Sequence, residues 1–124
     1  MQTVQDIKPE TLTTYGAVRQ ACQVIRKAAT DNSAVIFDYT KANQHTMNHE
    51  DAATLHNKAY MEFHYNEVHC IGYLEDTREW QAEEGIKDND VIQREINIQY
   101  WQKAVADELE NYNNAKKVMD EYIK

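Results

Sequence analysis

Apolar residues in the C-terminal third recur every seven positions. Val91, Ile98, Val105, Tyr112 and Met119 form one row, and Trp101, Ala115 and Tyr122 fill most of a companion row three residues on. Neither Gly nor Pro interrupts residues 90–123. The pattern predicts one long amphipathic helix over 90–123, roughly 50 Å at about 1.5 Å per residue. A stripe of that length has to lie against another surface, so the chain is built for helix–helix packing.

A second helix is expected over 49–83. Ala53, Tyr60, Phe63, Cys70 and Leu74 lie near a heptad row, interrupted by His56 and Glu67. Gly72 falls inside it, where glycine costs about 1 kcal/mol relative to alanine, and so marks a kink or a close-packing point. Gly85 breaks the pattern, and residues 87–90 supply N-cap candidates for the helix that follows. Two long helices joined by a few residues run antiparallel, as a hairpin whose tip holds residues 75–90.

Upstream, residues 9–29 read as a helix. Pro9 suits its first turn, and Leu12, Tyr15, Val18, Cys22 and Ile25 form one face at three- and four-residue spacing. Residues 30–33 read as a break, with Asp31 or Ser33 as the next N-cap. Residues 34–43 are ambiguous: their β-branched and aromatic content suits a strand, but no second strand is present to pair with it, and a short helix is the expectation. Residues 44–49 form a polar connection with Thr46 or Asn48 as a cap. The fold class is therefore all-α, in a single domain over 1–124: a long antiparallel hairpin (49–83 and 90–123) packed with an N-terminal helix (9–29) and the short segment 34–43.

Composition agrees with long helices, since 124 residues include one Pro and three Gly. The longest apolar runs are far too short to span a bilayer, and the N-terminus lacks the pattern of a secretory signal. Cys22 and Cys70 fall on separate predicted helices and make no disulfide framework, so a cytoplasmic protein is expected. The net charge of −8 is uneven. Residues 75–90 hold seven acids (Glu75, Asp76, Glu79, Glu83, Glu84, Asp88 and Asp90) against Arg78 and Lys87. Such a surface repels phosphates and disfavours direct nucleic-acid binding, while it attracts a basic protein.

Catalytic and metal chemistry find less support. All five histidines fall between His45 and His69. His45 and His49 have i,i+4 spacing, but a helix boundary is expected between them. Glu62/His64 and Glu67/His69 are two apart, which points each pair away from a common metal. Asp76-x-x-Glu79 followed by Glu83 puts three acids on one helical face, as an all-helical nucleotide hydrolase needs for Mg²⁺. The facing stretch 91–98 offers only Glu95, and Asp107-x-x-Glu110 lies too far along. His45, His49, Asp76 and Glu79 are thus the weak metal candidates, and no cofactor is expected. His56, on the presumed apolar row, reads as a partly buried imidazole bonded to a neighbour. Glu108, between Val105 and Tyr112, reads as a residue at the edge of the seam where the hairpin opens. Tyr65, Tyr73, Trp80 and Tyr100 do not fall on the main stripes and suit either packing against the N-terminal helices or an interface.

The sequence-level expectation is a non-enzymatic acidic protein-binding module that engages a partner through Glu75, Asp76, Glu79, Trp80, Glu83, Glu84 and Asp88. In its sharper form the module presents these acids to the basic groove of a nucleic-acid-handling protein and inhibits it. The alternatives are a metal-dependent all-α hydrolase of a nucleotide-like substrate and a structural homo-oligomeric subunit.

Overall fold

The computed structural model describes residues 2–83 and 91–123, and the side chains of residues 2–72 and 95–123. Two short 3₁₀ turns, Val4–Asp6 and Pro9–Thr11, lead into α1 (Tyr15–Ala42). After a polar turn come α2 (His49–Leu55), one π-helical turn (His56–Tyr60), α3 (Met61–Glu83) and α4 (Val91–Tyr122). The fold is all-α, with no strand among the described residues. Helices α1, α3 and α4 pack on one another pairwise. Asn66 of α3 lies against Glu108 of α4 and Glu62 against Asn111, so these two helices run antiparallel, as expected of two long helices a few residues apart in the chain.

Helix α1 differs from the expected helix, break and short segment: it runs without interruption through residues 30–33 and includes 34–42. The apolar stripe explains this. Val18, Cys22, Ile25, Ala29 and Ile36 are all buried at helical spacing, so the face beneath the polar tetrad never stops. Its polar residues act as helix-surface groups. Asp31 accepts from Lys27 at 2.9 Å in an i,i+4 pair, and Asn32 donates to the Tyr112 hydroxyl of α4 at 3.0 Å. The N-cap is Thr14, whose hydroxyl accepts from the Ala17 amide at 3.2 Å. Pro9 belongs to a separate 3₁₀ turn, which buries Leu12 at the foot of the bundle.

Asn48 caps α2, accepting from the Asp51 amide at 2.8 Å. Leu55, His56 and Met61 all keep right-handed helical backbone, so α2, the π-turn and α3 form one continuous rod. The π-turn inserts a residue and moves the buried row. Leu55, Ala59, Phe63, Asn66 and Cys70 face the core, Ala53 is exposed, and His56 is exposed rather than partly buried. Gly72 is not a close-packing point among the described residues, because an added Cβ there would meet none of their atoms within 4 Å.

In α4 the predicted rows hold from Ile98 onward, and the side chain of Val91 lies outside the described residues. Trp101, Val105, Tyr112, Ala115 and Met119 are buried, and Ile98 and Tyr122 are half-buried. Among the described residues the core has two clusters. One gathers Cys22, Ile25, Cys70, Trp101 and Val105. The other gathers Ile36, Leu55, Phe63, Tyr112 and Met119. Val24 and Leu109 touch both. No helix of the described residues is long and apolar enough to cross a membrane.

Candidate functional site

The acidic residues of the expected partner site start on the last turns of α3. Glu75, Asp76, Glu79, Trp80 and Glu83 belong to that helix, and their side chains lie outside the described residues. Glu84 and Asp88 lie wholly outside the described residues. Helical spacing puts Asp76, Glu79 and Glu83 on one face. Immediately before them, α3 exposes Tyr65, Val68 and Ile71, each 44–51% accessible. On α4, Ile96 and Tyr100 are 53% and 56% accessible. Because the two helices are antiparallel with Asn66 beside Glu108, Ile96 and Tyr100 belong to the half of α4 that approaches the C-terminal end of α3.

The histidines do not converge. His45 sits in the turn after α1 and His49 opens α2, with the Asn48 cap between them, and both are exposed. No group of three or more His, Cys, Asp or Glu able to hold a metal forms among the described residues. His56 stacks on Tyr60, with ring centroids 5.3 Å apart and planes 17° from parallel.

Glu108 is not at the edge of the seam. It is 5% accessible, in the middle of the α3–α4 interface, and its neighbour Asn66 is fully buried. Asn66 Nδ2 donates to Glu108 Oε1 at 3.0 Å and to the Glu108 carbonyl at 3.1 Å. His69 Nδ1 lies 3.0 Å from Glu108 Oε2, and its ring stacks on Tyr65 with planes 14° apart. Asn66 Oδ1 is buried without a hydrogen-bond partner among the described residues. Sequence reasoning missed Asn66 because the row between Phe63 and Cys70 was taken through Glu67, one residue further on. Counted backward from Cys70 at helical spacing, Asn66 is the one polar member of an otherwise apolar row.

The two cysteines, placed by sequence on separate helices, meet across α1 and α3. Both are buried and unbridged. The Cys70 thiol is pushed up from its ordinary value by its hydrogen bond with Cys22, by burial and by the nearby negative charge of Glu108. A thiol held in its neutral form is a poor nucleophile, so this pair acts as core packing.

Grooves open on the surface among the described residues. A cavity of about 470 Å³ lies between the N-terminal 3₁₀ turn and α1, with a Val4, Val24 and Ala28 floor rimmed by glutamines and the Lys27–Asp31 pair. A smaller one of about 280 Å³ lies between α1 and the π-turn, lined by Ile36, Phe37, Thr40, His56 and Tyr60. Comparison of the chain with protein families, curated proteins and solved structures finds no match to any of them.

Proposed function

We propose that this chain is a non-enzymatic, acidic helical protein-binding module that presents carboxylates to the basic groove of a nucleic-acid-handling protein and so inhibits it. The observation that supports the reading most is the exposed apolar side chains Tyr65, Val68 and Ile71 on α3 and Ile96 and Tyr100 on α4. Half-exposed aromatic and branched residues beside a block of like charge suit an interface: the apolar groups supply buried area, and the charge supplies steering and partner choice. The docking residues in this reading are Glu75, Asp76, Glu79, Trp80, Glu83, Glu84 and Asp88. The proposed setting is the cytoplasm, in keeping with two cysteines that form no disulfide framework.

The test is competitive capture. Wild-type protein and a variant with Glu75, Asp76, Glu79, Glu83 and Glu84 changed to Gln are immobilised and exposed to lysate, with and without excess duplex DNA. The reading expects a nucleic-acid-binding protein that is retained by the wild type, released by DNA and not retained by the variant. Equal retention on both proteins, or self-association alone, overturns it.

A further inference from the structure

Independently of the acidic segment, we propose that the groove between α1 and the π-turn is a binding site for a small, planar aromatic molecule of one or two rings that carries no negative charge. Its floor is Ile36, which is 2% accessible. The ring of Phe37, 58% accessible, lines one side from α1, and the stacked His56–Tyr60 pair lines the other from the π-turn. Three aromatic rings thus border a cavity of about 280 Å³. That is near the lower end of the roughly 300–1,000 Å³ typical of small-molecule sites, which sets the ligand at one or two rings.

The chemistry of the lining narrows the class further. None of the five lining residues is Asp, Glu, Lys or Arg, and the whole chain carries −8. An anionic ligand would meet no Lys or Arg in the groove and would be repelled at long range. Aromatic walls favour flat rings in offset or edge-on contact. The Thr40 hydroxyl donates to the Ile36 carbonyl at 2.9 Å and is left as an acceptor only, so the imidazole of His56 and the phenol of Tyr60 are the polar tips that can donate to a ring edge.

The π-turn is what makes the groove. In an unbroken heptad His56 would fall on the buried row; the extra residue carries it outward, where it stacks on Tyr60 at the groove wall. Single π-turns inside α-helices recur at functional sites because they re-aim side chains at the expense of poorer hydrogen-bond geometry.

The probes are indole, p-cresol and, as a non-planar control, cyclohexanol, titrated into the full chain and followed by protein NMR. Indole and p-cresol are expected to give saturable shifts at Phe37, His56 and Tyr60, with cyclohexanol much weaker. Phe37→Ala, at an exposed position, is expected to weaken indole binding about tenfold, the loss of one aromatic wall. Deleting Asn57, which returns the π-turn to α-helical spacing, is expected to abolish binding while the far-ultraviolet spectrum stays helical. If that deletion unfolds the chain, Tyr60→Leu replaces it with the same expected loss. The proposal is overturned if neither aromatic probe saturates up to its solubility, if cyclohexanol binds as well, or if Phe37→Ala leaves affinity unchanged.

Discussion

Asn66 bridges two of the three oxygens that Glu108 turns toward α3: one amide nitrogen donates to both its carboxylate, at 3.0 Å, and its carbonyl, at 3.1 Å. Both residues are buried, and the half-exposed His69 completes the carboxylate's second oxygen. A pairing of this kind is satisfied at one register only, since sliding α4 by a turn would leave a buried carboxylate without donors. Asn66→Ala is expected to destabilise the fold by about 2–4 kcal/mol, because it strips a buried acceptor of its donor and opens a small void. Replacing both Asn66 and Glu108 with Leu removes the polar groups together, and should cost less than the sum of the single changes by about 1–3 kcal/mol. Urea melts of the double-mutant cycle measure this coupling; additive losses would show that the pair does not act as a unit.

Ser33 separates two accounts of α1. As an N-cap after a break it would contribute about 1 kcal/mol, lost on substitution by Ala. In the continuous helix its hydroxyl is buried without a hydrogen-bond partner among the described residues. Ser33→Ala then removes an unsatisfied group and improves helix propensity, so stability should rise by about 0.5–1 kcal/mol. Thermal melts decide by sign: a lower midpoint would favour the broken helix.

Ser33 also shows where the sequence was readable. The α4 seam was legible because its apolar spacing is regular and nothing else competes for those residues; Val105, Tyr112 and Met119 are buried as the row requires. Around residues 30–33 local cap propensity pointed one way and the stripe from Ile25 through Ala29 to Ile36 the other, and burial won. The π-turn was not legible, since one extra residue leaves no mark in composition and only shifts which positions face inward. That shift put His56 outside, whereas Asn66, the donor to Glu108, was hidden by a different ambiguity, since Glu67 fits between Phe63 and Cys70 at helical spacing as well as Asn66 does. Of the expected partner residues, the sequence showed charge and helical spacing, while the exposed Tyr65, Val68 and Ile71 beside them emerge only once the buried face of α3 is known.

Gly72 offers a direct gain. It lies in the interior of α3, exposed, with no atom of the described residues within 4 Å of where a Cβ would be. Alanine there fits without contact and restricts the unfolded chain, so Gly72→Ala is expected to stabilise by about 0.5–1 kcal/mol. An unchanged or lower denaturation midpoint would show that this part of α3 needs the glycine for a reason other than packing.

Acid should loosen the N-terminal segment before the helices. Asp6 accepts from the Thr3 amide at 2.8 Å and from the Thr3 hydroxyl at 3.0 Å, and these bonds hold its carboxyl below the ordinary value of 3.8. A carboxyl whose folded value is depressed contributes stability above its unfolded value, and that contribution disappears as pH falls through the folded one. The 3₁₀ turn it closes places Val4 in the core beside Tyr112 and forms one wall of the 470 Å³ groove. Amide exchange at Val4–Ile7 should therefore accelerate, relative to α1, once the pH drops below about 4. Asp6→Asn, which cannot accept as an anion, should show the faster exchange at neutral pH and no further acid transition. Equal protection of Val4–Ile7 on both sides of that pH in the wild type would mean that burial of Val4 alone holds the segment down.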